Sequence, residues 1–139
     1  MLDSTRTLNG AFGKLYHEGE WLTNVTGIEI ASDINYEEIK RAGTRKVGHK
    51  ATTITSSGTI SSYKISHAFV KRIGQIMDDT KGAFVTELVT EINDPENSEA
   101  SGFIRIKGVQ FNTIPFLNYE HGSIVEEELQ FVFDDIEYL

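Results

Sequence analysis

The sequence predicts a mainly β fold, an antiparallel β-sandwich or partly open barrel of about six or seven strands with one flanking α-helix. Three observations lead to this prediction. Apolar and polar residues alternate with a period of two in most segments, one segment has helical spacing instead, and glycines reverse the alternation inside two strands. The chain has 139 residues, of which 39% are hydrophobic and 24% charged, so we expect one domain, 1–139, with a single core.

The first two strands are predicted from this alternation and from a tight turn. Residues 10–17 form a short strand, and Glu18-Gly19 is suited to a two-residue hairpin turn. A long strand then runs from residue 21 to about residue 36. Its apolar positions change parity at Gly27, which indicates a bulge.

Residues 66–81 are predicted to form the helix, with Ser66 as N-cap and Gly82 just beyond its end. Apolar residues at positions i, i+1, i+4, i+7 and i+8 make one stripe, which we expect to pack on the core. The stripe consists of Phe69, Val70, Ile73, Ile76 and Met77. The remaining strands are predicted at 83–93, at 103–113 with a parity change at Gly108, and at 123–134.

The strand between the long strand and the helix has two unlike faces. Its odd positions carry small hydroxylated side chains, whereas Ile54 and Ile60 occupy even positions, and successive strand residues point to opposite faces. On the long strand before it, Glu29 and Asp33 lie opposite the isoleucines. Antiparallel pairing through the connecting loop sets the two polar faces side by side. An ordinary solvent-facing surface and a wall that lines an aqueous space both fit this pattern.

Residues 37–50 are predicted to form a loop rich in basic residues. Nucleic-acid binding is disfavoured, because no aromatic residue is interleaved among these cations and the chain has a net charge of −8. A solvated loop also fits these residues, but a 14-residue loop without periodicity is more often functional, so we favour contact with a neighbouring subunit. Residues 1–10 contain little apolar material and are expected to be a mobile arm.

No motif in the sequence predicts catalysis, a cofactor or a metal. The chain has no cysteine, its four histidines are scattered, and we find no nucleophile elbow, phosphate-binding loop or paired-histidine motif. The cluster Gly48-His49-Lys50 comes closest to a reactive group. The N-terminus lacks an apolar signal segment, and no run of about 18 apolar residues occurs, so we expect folding in a reducing cytoplasm without membrane insertion.

The order of several motifs resembles a known family. These motifs are Gly-x-Leu-Tyr-x-x-Gly-Glu at 13–20, GHKATT at 48–53, Gly-Thr at 58–59, Tyr63-Lys64, Phe69-Val70, and a Glu-Glu-Glu run followed by Phe-x-Phe-Asp-Asp. From about residue 10 to residue 136 the chain resembles the tail-tube protein of contractile-tailed phages. It is most similar to the branch in defective prophages and phage-tail-like bacteriocins.

The resemblance implies a structural subunit of a virion or phage-tail-like particle. Subunits of that family form hexameric rings that stack into a tube inside a sheath, and the tube passes DNA or ions. Sheath, baseplate and tail-terminator proteins are the implied partners. A small β-barrel that binds an apolar ligand is the alternative from another class.

Two sets of residues follow from this interpretation. The set expected to face the lumen is Glu29, Asp33, Thr53, Thr55, Ser57, Thr59 and Ser61. Because copies with a net charge of −8 repel each other, a ring also needs opposite patches that pair between copies. The residues expected in this contact are Lys40, Arg41, Arg45, Lys46, His49 and Lys50 on one copy and Glu126, Glu127, Glu128, Asp134 and Asp135 on another.

Overall fold

Eight antiparallel strands form one open sheet in the computed structural model, which describes residues 4–8, 10, 13–64, 67–96 and 102–139. The strands are β1 (Gly13–His17), β2 (Glu20–Trp21), β3 (Val25–Lys40), β4 (Val47–Tyr63), β5 (Val85–Ile92), β6 (Gly102–Phe111), β7 (Glu126–Val132) and β8 (Asp135–Tyr138). Their order in the sheet is β2-β1-β5-β6-β7-β4-β3, and β8 pairs with β6. The prediction of a mainly antiparallel β fold with one helix is confirmed.

The strand count exceeds the predicted six or seven because one predicted strand is interrupted and one strand was not predicted. The predicted long strand pauses between β2 and β3, and β8 follows a bend at Phe133–Asp134, where the last predicted strand was expected to end. After this bend the chain stays on β6: the Asp134 amide donates to the Lys107 carbonyl at 2.9 Å. The last two strands therefore follow one another along the same edge of β6.

One face of the sheet, together with the helix, encloses the core. Fully or nearly fully buried residues come from five strands, from Phe133 just after β7, and from α1 (Ala68–Ile73). Phe131 and Leu88 are completely inaccessible. The other members of this core are Leu15, Ile60, Ile73, Ile106, Val109, Leu129 and Phe133. Burial of such side chains contributes about 1.5–3 kcal/mol each, which makes this core the main source of stability.

The turn and both glycine parity changes occur where the sequence predicts them. Glu18 and Gly19 adopt positive φ values of 52° and 80°, the geometry of a two-residue hairpin turn. At Gly27 the pairing with β4 shifts by one residue. Gly108 has a φ of 68°, and the Asp134 carboxylate lies where a Cβ would project. These positions bend strands so that the apolar residues on both sides of the bend reach the same core.

The predicted helix over 66–81 is too long. Helix α1 ends at Ile73 and continues as a 3-10 segment, Gly74–Met77, which rotates the next residues away from the stripe. Ile76 and Met77 are consequently 53% and 68% exposed rather than in the core. The predicted N-cap, Ser66, lies outside the described residues; His67 precedes α1 without a side-chain capping bond.

The described part of the predicted N-terminal arm is exposed and contains a short 3-10 turn at Ser4–Arg6. Residues 1–3 and 9 lie outside the described residues. The expected mobility of segment 1–10 stays a prediction.

A buried histidine joins β1 to α1. The His17 Nε2 lies 2.9 Å from the Thr86 hydroxyl, and its ring meets Phe69 edge-on with the ring centroids 5.1 Å apart. Burial lowers the pKa of His17 from 6.5; nearby Arg72 lowers it further, and Glu18 counteracts part of this decrease. The imidazole is therefore neutral in the folded protein at neutral pH.

This histidine predicts an acid-sensitive stability. The pKa of His17 is lower in the folded protein than in the unfolded chain, where it is about 6.5. At pH values between these two pKa values the unfolded chain therefore binds more protons than the folded protein. The free energy of unfolding should therefore decrease as the pH falls below about 6.5 and level off once folded His17 is protonated as well. Urea titrations of the wild type and of His17→Gln at about pH 7 and about pH 5 measure how much the free energy of unfolding decreases between the two pH values. An equal loss of stability in the variant would contradict it.

Candidate assembly surface

Strands β3 and β4 form a long hairpin that projects from the rest of the sheet. We call residues 31–55 of this hairpin, which are separate from the N-terminal segment 1–10, the arm. Its residues are exposed on both faces, apart from half-buried Gly48. The predicted loop over 37–50 is wrong, because Glu37–Lys40 pairs with Val47–Lys50 and only residues 41–46 lie outside the strands. A second register shift leaves Thr52 as an extra residue on β4. It interrupts the alternation of side chains between the two faces, but β3 and β4 remain hydrogen-bonded beyond it.

All residues predicted to face a lumen share one surface, which we call the polar face. The register pairs Glu29 with Thr59, and Asp33 with Thr55. Asn35 completes this surface by donating from Nδ2 to the hydroxyls of Thr53 at 3.0 Å and Thr55 at 3.1 Å. The other residues of the predicted set on this face are Ser57 and Ser61.

Strand β7 extends the polar face with two carboxylates that the sequence assigned to the subunit contact. Glu128 lies opposite Ser61, and Glu126 lies opposite Tyr63. Both side chains are exposed. The pairing of β7 with β4 joins positions about 65 residues apart in the chain, so no local pattern indicated it.

The opposite face of the same hairpin changes from buried to exposed along its length. Near the body of the protein, Ile28 and Ile30 pack against the core, and Ile60 is buried in it. Further out, on what we call the apolar face of the arm, Ile54 is 68% exposed and Tyr36 60% exposed. The apolar face is completed by Ile34 and Val47, which are also exposed.

Six predicted contact residues lie together at the end of the arm, which we call the basic tip. All six are exposed. They are Lys40, Arg41, Arg45, Lys46, His49 and Lys50. Inside this tip the Lys46 amide donates to the Thr44 hydroxyl at 3.1 Å, which holds the turn, and the Tyr36 ring meets the His49 ring edge-on. The basic charge therefore projects away from its own sheet.

The acidic residues predicted to meet the basic tip do not form one patch. Glu126 and Glu128 lie on the polar face, at the end of β4 remote from the tip. Asp134 and Asp135 lie at the bend between β7 and β8. Glu127 points to the opposite face, where it forms an ion pair with Lys64 of its own chain at 2.8 Å.

Free strand edges accompany the arm. Among the described strands, β3 pairs with β4 alone, so its outer edge is unpaired along the whole strand. Strand β7 pairs with β4 only from Ser57 onward, which leaves the other edge of β4 free within the arm. Exposed strand edges bind further strands through backbone hydrogen bonds, so both edges are available to other chains.

A third charged region lies on β6 and β8. Lys107 and Arg105 project from β6, and Glu137 of β8 forms ion pairs with them at 2.8 Å and 3.5 Å. The hydrogen bond from Lys107 lowers the pKa of Glu137 from its ordinary value. This carboxylate offsets part of the positive charge that β6 brings to its surface.

The described residues contain no metal-binding cluster. No three of their His, Asp or Glu side chains come together as ligands. Within that same part of the chain, no helix is long and apolar enough to cross a membrane.

Gly58 is required on β4, where this strand lies between β3 and β7. A Cβ at this position would lie 2.5 Å from Phe131 Cζ and 2.7 Å from the Glu29 carbonyl oxygen. Gly58→Ala is therefore expected to destabilise the subunit by on the order of 2–3 kcal/mol. Gly27→Ala is the matched control, because nothing lies within 4 Å of a Cβ there. Equal urea midpoints for the two variants would refute this account of Gly58.

Comparison with known proteins identifies the family. The sequence model described as "Phage tail tube protein" matches residues 1–139. The Bacillus subtilis (strain 168) protein "Phage-like element PBSX protein XkdM" is 25% identical over 137 residues, which cover 98% of this chain and 92% of that protein. These matches confirm the resemblance carried by the motifs.

Solved structures share the fold at low sequence identity. A chain of the sheath-tube complex of an extracellular contractile injection system has a TM-score of 0.74 and 9% identity, covering 96% of this chain and 91% of that chain. The tube-terminating cap of the anti-feeding prophage has a TM-score of 0.72 and 13% identity, with the same two coverages. This chain belongs to the phage tail tube protein family and is a structural tail protein, not an enzyme.

Proposed function

We propose that this chain is the repeating subunit of a tail tube in a contractile phage tail or phage-tail-like particle. Copies assemble into hexameric rings, the rings stack, and the tube passes DNA or ions. Membership of the tail tube family supports the proposal, as does the likeness to the relative from a phage-like element. Sheath, baseplate and tail-terminator proteins are the proposed partners, and assembly takes place in the bacterial cytoplasm.

The polar face is the observation that carries this proposal. Carboxylates and short hydroxyl side chains cover one exposed surface of β3, β4 and β7, while near the body of the protein the other surface of the same strands packs on the core. Free edges flank that surface on the arm. Pairing of unlike edges between copies is heterologous, and a heterologous contact that closes forms a ring. The polar face then lines the channel.

The charge on this face suits a passive conduit. Sixfold repetition turns Glu29 and Asp33 into rings of carboxylates. Such rings create a negative potential that repels phosphate, so DNA does not adhere to the wall. Small hydroxyl side chains keep the wall hydrated.

Electron microscopy and light scattering on the purified protein test this function. At high concentration the proposal predicts rings or tubes with a central channel, and a particle mass that is a multiple of six subunits. A protein that stays monomeric under all conditions would favour the alternative, a ligand-binding barrel.

The wall charge gives a separate prediction. Glu29→Lys with Asp33→Lys should leave tubes intact, because both side chains are exposed and neither packs on the core. The double variant should delay DNA passage, or alter ion conductance, with an effect that diminishes at high salt. The matched control is Asp79→Lys with Glu87→Lys, which reverses two exposed carboxylates outside the polar face, the arm and the segment 112–125. An identical effect in both variants would exclude Glu29 and Asp33 from the wall.

A further inference from the structure

We propose that the apolar face of the arm binds the connector of a second copy, head to tail. The connector is residues 112–125, between β6 and β7. This inference rests on the proposed self-assembly, and it adds the surfaces that meet.

The arm requires a covering partner. It is a two-stranded ribbon outside the core, and such ribbons are marginally stable in water by themselves. Its exposed Ile34, Tyr36 and Ile54 continue the line of Ile30 and Ile60, which pack in the core of their own chain. The apolar face of the arm therefore extends the row of core residues beyond the edge of the subunit.

The connector is a matching apolar surface. Among the described residues it is the longest segment between two successive strands that contains no helix or strand. Phe116 is 60% exposed, Leu117 59% and Ile124 75%. Long irregular segments in compact domains are commonly binding segments. This one presents large side chains to solvent instead of packing them.

These two surfaces lie apart within one chain. The connector ends beside the body end of β4, where the Lys64 amide donates to the Val125 carbonyl at 2.9 Å. Ile54 lies about 33 Å from that point at ~3.3 Å per strand residue. A second copy displaced by this distance along β4 brings its connector over the arm.

Charge provides an independent argument for the same displacement. The basic tip lies beyond the apolar face, and Glu126 and Glu128 directly follow the connector. A head-to-tail displacement therefore brings the basic tip of one copy to the acidic end of the next, together with the two apolar surfaces. Because opposite ends meet, the contact is heterologous and repeats from copy to copy.

Cysteine cross-linking tests the contact cleanly, because the chain contains no cysteine. The full-length protein with Ile54→Cys and Leu117→Cys is assembled and then treated with a mild oxidant or a short bismaleimide. The inference predicts a ladder of covalent oligomers on a denaturing gel. Mixing the two single variants should give dimers joined between positions 54 and 117, and no longer species. The matched control is Thr55→Cys with Leu117→Cys, which places the first thiol on the polar face and should stay monomeric on the gel.

The outcomes separate this inference from the proposed function. If the cysteine variants form tubes but give no ladder, or if the Thr55 control gives an equal ladder, the head-to-tail contact is wrong while the tube stands. If the wild type forms no assemblies, the proposed function fails and the contact fails with it.

Substitution provides a second readout without thiols. Ile54→Ser and Leu117→Ser each remove an exposed side chain, so the subunit should fold normally. Each should raise the concentration needed for assembly roughly tenfold or more. Combining them should add little, since both remove the same contact. Fully additive effects of the two substitutions would overturn the pairing.

Discussion

Replacing Arg45 and Lys46 with glutamate is expected to abolish tube formation, or to slow it strongly, while the subunit stays folded. Both residues lie in the exposed turn of the basic tip, so their side chains contribute little to the stability of the monomer. Every copy carries a net charge of −8, so the basic tip is the main source of electrostatic attraction between copies. Turbidity and electron microscopy at low and moderate salt measure assembly, and circular dichroism measures folding.

A control with the same net charge isolates the position of the charges. Lys71→Glu with Lys81→Glu also reverses two exposed positive charges, but these lie on α1 and in the segment after it. This control should assemble far better than the tip variant. Adding Glu126→Lys and Glu128→Lys to the tip variant should restore part of its assembly. Normal tubes from the tip variant at both salt concentrations would show that the proposed charge pairing is wrong.

Glu127→Gln is expected to destabilise the subunit by about 3–5 kcal/mol, the usual cost of breaking a buried ion pair from one side. The side chains of Lys64 and Glu127 are only 7% and 9% exposed, and their charged atoms lie 2.8 Å apart. Removing the carboxylate leaves a buried ammonium group without its counter-charge. Urea unfolding of the monomer at neutral pH measures the change in the free energy of unfolding.

Two further variants test the cause of that loss. Replacing both partners, Lys64→Met with Glu127→Leu, should recover most of the stability, because no unpaired charge then remains in the interior. Glu18→Gln breaks the exposed pair with Arg72 and should change stability little. If the double variant is as unstable as Glu127→Gln, packing rather than charge explains the loss.

Local alternation was sufficient to predict which way the side chains of β3 and β4 point. Ile28 and Ile60 lie on the core side, and Glu29 and Thr59 lie opposite, because the period of two is a property of the strand itself. The glycine-centred parity changes were predictable for the same reason. One extra residue at Thr52 obscured the outer half of the hairpin, since a bulge disturbs the alternation while the ladder continues.

Features that depend on distant pairing were not predictable from local patterns. Alternation with Leu129 and Phe131 places Glu126 and Glu128 on the outer side of β7, but only the pairing of β7 with β4 makes that side part of the polar face. The partner of Glu127 is likewise set by tertiary structure. The end of α1 at Ile73 was missed because the apolar spacing continues through Met77. Helix propensity is weak over so few residues, and tertiary packing decides such boundaries.

A helical reconstruction of the assembled protein by cryo-electron microscopy would show which face of the hairpin lines the channel. We expect a tube of stacked sixfold rings whose channel is lined by Glu29, Asp33 and the hydroxyl side chains of β4. In that tube Ile28, Ile30 and Ile34 point away from the channel. A reconstruction with these isoleucines on the channel wall, or with the polar face directed outward, would contradict the account.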